Sequence, residues 1–323
     1  MAPQHCVMDT ATWLEPGLEP SRTAGHHRAM IEPMRPFQRL DYQASIDRQR
    51  LSLPGDGRVA VFLVVNIERW DIDRSMPRQV LTPPQGASVV PDVPNWAWHE
   101  YGMRVGFWRI KAALDAHGIA PTLAINGAVP AAYPRVTQAC RDAGWEFMVH
   151  GFHQTATHNV EDQRRMIRDA VDVLREAGGH DPVGWLAPGL TETLDTPDLL
   201  AEAGIRYCAD FVVDDLPAVL RTTHGPMLTM PYSVELNDIP IMMIQHHRAE
   251  ELYERTVAQF DRLYQEAETQ GAKVMGLAVH PYISGVPHRI GWFEKALAHM
   301  AGRPGTLFWQ GRQIMDWYLK GGA

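Results

Sequence analysis

The chain has little cysteine, no surplus of positive charge and no long apolar run, and each lack narrows what it can be. Cys6, Cys140 and Cys208 are its three cysteines, odd in number, widely spaced and without a C-x-x-C pair. That pattern reads as reduced thiols with a structural role. A formal net charge of -8 argues against a nucleic-acid partner, because neutralising phosphates needs a basic surface. No apolar run approaches the roughly 20 residues of a membrane-spanning helix, so no membrane partner is expected. The first residues, MAPQHCVMDTATWLEPG, lack both a basic start and an apolar core. No secretory signal is expected there, and the expected compartment is the cytoplasm.

What is present is an ordinary globular composition, 45% hydrophobic and 21% charged over 323 residues, enough for one large α/β barrel or two domains. The informative pattern is where its apolar runs stop. VAVFLVV (59–65) runs into Asn66-Ile67-Glu68, WEFMV (145–149) into His150, and VMGLAV (274–279) into His280. Short continuous apolar runs bounded by polar residues read as fully buried strands. A strand that stops on Glu or His carries that group to the carboxyl edge of the sheet, where α/β barrels place their chemistry. A single such histidine is ordinarily a core or rim residue; three acid/base endings together point to an active site.

Residues 1–57 are polar and irregular and read as an N-terminal arm; 58–323 read as one catalytic domain. Residues 69–100 hold five prolines and three tryptophans, Trp70, Trp96 and Trp98, without a clean period. A loop this long in a compact domain is usually functional, and it is a candidate lid. Helices are expected near 102–117, 131–143, 160–177, 196–204, 249–269 and 290–300, with a last one ending near 319. Strands are expected at PTLAIN (121–126), GWLAP (184–188), YCADFVV (207–213), MLTMPYS (227–233), IPIMMIQ (239–245) and TLFW (306–309). Repeated β-then-α order means parallel strands with helices outside, here a deformed (β/α) barrel of seven or eight mostly parallel strands.

Four stretches in order carry a family resemblance: Val65-Asn66-Ile67-Glu68, Tyr101-Gly102-x-Arg104-x-Gly106-x-Trp108, His150-Gly151-Phe152 and Leu277-x-x-His280-Pro281-Tyr282. From about residue 58 to 318 the chain resembles the polysaccharide deacetylase (NodB-homology) superfamily. Within it, the chain is most similar to the branch of metal-independent allantoinases and cyclic imide hydrolases. It departs from the deacetylase pattern in three places. The resemblance puts the general base where Asn66 stands, and an amide cannot take a proton from water near neutral pH. The arginine that holds that base is replaced by Leu186, in Leu186-Ala187-Pro188. The second histidine of the metal pair is replaced by Gln154.

The resemblance implies a hydrolase of non-peptide C–N bonds in a small cyclic amide, such as a hydantoin, ureide or cyclic imide. Glu68 and His150 would position and deprotonate water, His280 would protonate the leaving nitrogen, and Asn66 with Asn126 would hold the oxyanion. Trp185, Gln154, His247 and Pro188 are candidate substrate contacts; the His246-His247 pair ends its run, so one of the two faces the cavity. No cofactor is the favoured expectation. Should a divalent metal such as zinc be held, a loop folded back would supply His158 beside Glu68 and His150. That set belongs to a second reading, a metal-dependent N-deacetylase of a small acylated amine or carbohydrate. A non-catalytic small-molecule-binding barrel is the third. Arg104, the Asp214-Asp215 pair and the Glu235, Asn237, Asp238 cluster read as ion-pair partners, caps and turn formers, and His153 and His288 as surface residues. The irregular arm and the resemblance suggest a homo-oligomer, a dimer or tetramer.

Overall fold

The structure is a computed structural model that describes residues 33–83, 86 and 89–322. The compact unit described below begins at Met34. Cys6 and most of the expected arm lie outside the described residues. Residues 34–57 lie along the barrel rather than apart from it. Arg39 is buried and paired with Asp198 at 2.6 Å, Ala272 N donates to Leu51 O (2.8 Å), and Trp317 Nε1 donates to Ser52 O (2.8 Å).

Among the described residues nine strands form one curled sheet. They are β1 Val59–Ile67, β2 Thr122–Ile125, β3 Glu146–Val149, β4 Gly184–Trp185, β5 Tyr207–Cys208, β6 Val219–Leu220, β7 Met227–Thr229, β8 Lys273–Val279 and β9 Thr306–Phe308. Their order is β6-β7-β5-β4-β3-β2-β1-β8. β9 pairs with Val59–Val61, at the start of the β1 edge that β2 occupies from Val64 onward. Every pairing is parallel except β6 with β7. The free edge of β8 is met by irregular chain: Val274 N donates to Asp215 O and Ala278 N to Leu236 O, both at 2.9 Å. This is the deformed (β/α) barrel that the β-then-α order predicts.

Side chains alternate across a strand, and the core divides accordingly. Val59, Val61, Leu63, Val65 and Ile67 of β1 belong to the larger apolar cluster, with the helices. Ala60, Phe62 and Val64 belong to a second cluster with Met148, Leu186, Val274 and Ala278. Asn66 continues the second row near the end of β1, and Glu68 just beyond it. His150 continues it from Met148, and His280 from Ala278. The parity that fills the barrel's interior therefore carries these four side chains to its mouth.

Several elements differ from expectation. The run Ile239–Ile244 is a wide helical turn, not a strand, because Pro240 has no N–H for a ladder and Asn237 Oδ1 accepts from Ile239 N at 2.9 Å. Only Tyr207–Cys208 of the expected 207–213 strand pairs, and Val219–Leu220 pairs without having been expected. The helix expected from 102 begins at Val93, where Asp92 caps Asn95 N at 3.3 Å. It passes through a wide turn at Gly102–Gly106 into Phe107–Asp115. No helix among the described residues is long and apolar enough to cross a membrane.

Candidate active site

Glu68 lies just past β1 and is 2% exposed. Its Oε2 accepts from Trp70 Nε1 at 2.6 Å and from the Tyr282 hydroxyl at 3.3 Å, and its Oε1 accepts from Gln154 Nε2 at 3.0 Å. An aromatic wall shields it: Trp70 stacks on His99 at 4.5 Å, and Tyr282 meets Trp70 and Trp98 edge-on at 5.0 and 4.8 Å. Burial would push the carboxyl up, but His280, His150 and His99 and the Trp70 indole outweigh it. Glu68 is held below the ordinary carboxylate range.

Two imidazoles face that carboxylate. His150 Nδ1 donates to Leu186 O (2.6 Å), a carbonyl that can only accept, so its Nε2 carries the lone pair; that nitrogen lies 3.9 Å from Glu68 Oε1. Burial lowers the His150 pKa below its ordinary value, against the pull of Glu68. His280 Nδ1 meets Asp238 Oδ1 at 2.6 Å, and His280 Nε2 lies 3.6 Å from Glu68 Oε1. Asp238 is fully buried, and its other oxygen accepts from His280 N and the Ser284 hydroxyl, both at 2.7 Å. Asp238 thus fixes both the backbone and the ring of His280. Sequence reading took Asp238 for a turn former.

Glu68, Trp70, His150 and His280 line a cavity of about 460 Å³. Asn66, Gln154, Pro188, Tyr232, Tyr282 and Arg78 also line it. The structure thus brings together Asn66, Glu68, His150, Gln154, Pro188 and His280 of the expected residues. Arg78 and Tyr232 were not singled out, and no local period marks them; Tyr282 stood inside a motif without a role.

Four expected residues lie elsewhere. Trp185 is fully buried in the outer apolar cluster, and alternation gives its neighbour Leu186 to the cavity instead. Asn126 is fully buried and spent on scaffolding. Its amide nitrogen donates to His150 O and Gln154 Oε1, and its oxygen accepts from Arg69 N at 2.9 Å. His247, like His246, is exposed, because the helical turn at Ile239–Ile244 sends the chain to the surface rather than to the barrel mouth. His158 is exposed on a short turn, Thr157–Asn159, and does not line the cavity.

Residues 98–208 match the polysaccharide deacetylase family model. That stretch, about a third of the chain, is similar to the polysaccharide deacetylases. A Schizosaccharomyces pombe protein classed with the polysaccharide deacetylases is 25% identical over 242 residues, covering 68% of this chain and 75% of that protein. A solved structure of a probable polysaccharide deacetylase from Pseudomonas aeruginosa PAO1 gives a TM-score of 0.77 at 24% identity. The match covers 86% of this chain and 96% of that one. PuuE allantoinase gives 0.74 at 22% identity, over 85% and 95% of the two chains. At these identities the two solved structures speak to the fold alone.

The metal pattern of the deacetylases that this chain resembles does not fit the residues it presents. His158 is absent from the cavity, and Gln154 turns its amide N–H, a donor, onto the Glu68 oxygen that a cation would need. Among the described residues, one group of three His, Cys, Asp or Glu ligand atoms lies mutually within 4.8 Å: Glu192, Cys208 and Asp210. It includes none of Glu68, His150 and His280. Asp210 there accepts from Ala187 N at 2.8 Å, and burial raises its carboxyl to about 6.

Proposed function

We propose that the chain hydrolyses a non-peptide C–N bond in a small cyclic amide of the hydantoin, ureide or cyclic imide class. One observation carries this reading. His280 Nε2 and His150 Nε2 face Glu68 Oε1 from 3.6 and 3.9 Å, and with both rings neutral these are three acceptors aimed at one point. Three acceptors turned on one point repel one another unless a donor sits among them. A water molecule, or the N–H of a cyclic amide, supplies that donor.

Water held by Glu68 and His150 attacks the ring carbonyl carbon. Its proton passes to His280 Nε2, not to Glu68, since a carboxylate held below its ordinary range is a poor base. Asp238, bound to Nδ1, steadies the imidazolium that forms. The carbonyl becomes a tetrahedral oxyanion. Asn66 can serve it, because it lines the cavity and its amide nitrogen makes only a long bond, 3.4 Å, to Val279 O, beside its contact with the Tyr232 hydroxyl. Collapse breaks the C–N bond, and His280 returns its proton to the leaving nitrogen. No step passes through a metal.

A screen of allantoin, hydantoins, succinimide-type imides and N-acetyl sugars, each with and without chelator, tests the proposal. Expected is chelator-insensitive turnover of a cyclic member, with Glu68→Gln lowering kcat by about 10²–10⁴-fold. Turnover of N-acetyl sugars alone, lost with chelator, would replace this reading with the metal-dependent deacetylase.

A further inference from the structure

Arg78 is the one lysine or arginine among the residues that line the cavity. The segment that carries it is anchored on both sides. Met76 is buried in the core, and Pro77 fixes its own backbone φ. Beyond Arg78, the fully buried Asn95 clamps the chain. Its Oδ1 accepts from Val80 N (2.8 Å) and Leu81 N (3.0 Å), and its Nδ2 donates to Leu81 O (2.8 Å). Both Asp92 oxygens hold that Nδ2 in turn, at 2.9 and 3.1 Å. Arg78 is therefore fixed at the cavity wall.

Arg78 is half-buried, yet no hydrogen bond or ion pair joins it to a described residue. Arg69 and Arg104, near the same mouth, are paired with Asp71 (3.4 Å) and Glu100 (3.3 Å). Its charge instead acts on the Tyr282 phenol, which donates to Glu68. A half-buried arginine at a cavity wall, without a counter-ion among the described residues, gains from an anion placed in that cavity. Apolar Val234, Ile239, Pro240 and Ile244 also line the cavity and cannot supply that anion.

Building on the hydrolase reading of this site, we propose that Arg78 is a carboxylate subsite. The preferred substrate is a small cyclic amide bearing a carboxylate, which Arg78 grips while the ring amide lies on Glu68, His150 and His280. Without that cation, the negative charge of Glu68 would repel such a substrate; with it, the charged arm is held and the ring is oriented.

The test uses a matched pair, hydantoin-5-acetic acid and its primary carboxamide, titrated calorimetrically into the full chain and into Arg78→Gln and Arg78→Lys variants. Thermal melting verifies that each variant is folded. Wild type should bind the acid about 10-fold or more tighter than the carboxamide. Arg78→Gln should erase that preference while leaving carboxamide binding within about twofold, and Arg78→Lys should retain part of it. Equal affinity of wild type for the pair, no binding of the acid, or a parallel loss of both ligands in Arg78→Gln would overturn the subsite. Binding needs no turnover, so the two readings fail separately. Acid gripped through Arg78 without hydrolysis of any cyclic amide would sink the hydrolase and spare the subsite. Hydrolysis of neutral hydantoins without preference for the acid would do the reverse.

Discussion

Glu68 keeps its charge because Trp70, Tyr282 and Gln154 all donate to it, while His280 keeps its tautomer because Asp238 can only accept from it. The two acids thus divide the work. Asp238→Asn tests that division: an amide presents an N–H as readily as an oxygen and no longer dictates which ring nitrogen carries the proton. The expected outcome is a kcat lower by about 10²–10⁴-fold, KM within a few-fold and a displaced pH profile of kcat/KM. Unchanged kinetics would leave Asp238 as a loop cap. Glu68, His150 and His280 were legible in the sequence because each ends an apolar strand on the interior parity. Asp238 was not, since it reaches His280 across 42 positions from a turn, and no local period records such a contact. Asn126 ends a strand in the same manner and was misread, because a strand ending says nothing of which neighbour claims the side chain.

Helices with polar caps and glycine stops were legible as elements; the run Ile239–Ile244 was not. Apolar, β-branched and short, it carries the composition of a strand, and only its Asn237 cap and Pro240 favour a helical turn. The glycines of Tyr101-Gly102-x-Arg104-x-Gly106 have a reason that only packing reveals. A Cβ on Gly106 would lie 2.1 Å from Pro281 O, and one on Gly102 2.5 Å from Tyr282 N. The wide turn therefore lets the helix rest directly on the backbone that follows His280. Gly106→Ala should cost about 1–3 kcal/mol in urea unfolding. It should also cut kcat/KM, because the displaced segment carries the Tyr282 hydroxyl off Glu68. Gly291→Ala is the control: nothing lies within 4 Å of its Cβ, and in its helix alanine should be neutral or stabilising by about 0.5–1 kcal/mol. Equal effects of the two substitutions would discard the close-approach explanation.

At the scale of the molecule the barrel was legible from β-then-α order. What meets the free edge of β8 was not, because irregular chain at Asp215 and Leu236, which no period marks, bonds to it. At the active-site end, the aromatic wall of Trp70 and Tyr282 buries His99. Its Nε2 donates to Glu68 O at 3.1 Å, and its Nδ1 has no partner among the described residues. Burial takes His99 from 6.5 down to about 4, although Glu68 and Glu100 pull the other way. The unfolded chain therefore accepts a proton below pH 6.5 that the folded chain refuses until about pH 4. That makes stability full above pH 6.5 and lost as pH falls through this window. For His99 alone the loss between pH 7 and pH 5 is about 2 kcal/mol. His150, also lowered by burial, adds in the same direction, whereas Glu68 begins to contribute only below its ordinary 4.5. Urea unfolding at pH 7 and pH 5 should therefore show His99→Gln, though weaker at pH 7, losing about 2 kcal/mol less than wild type on acidification. Equal losses would mean that another buried group takes up the proton. Because His99 rests on the backbone carbonyl of Glu68, protonating it strains the strand end that carries the catalytic carboxylate, so hydrolysis and stability should fall together in acid.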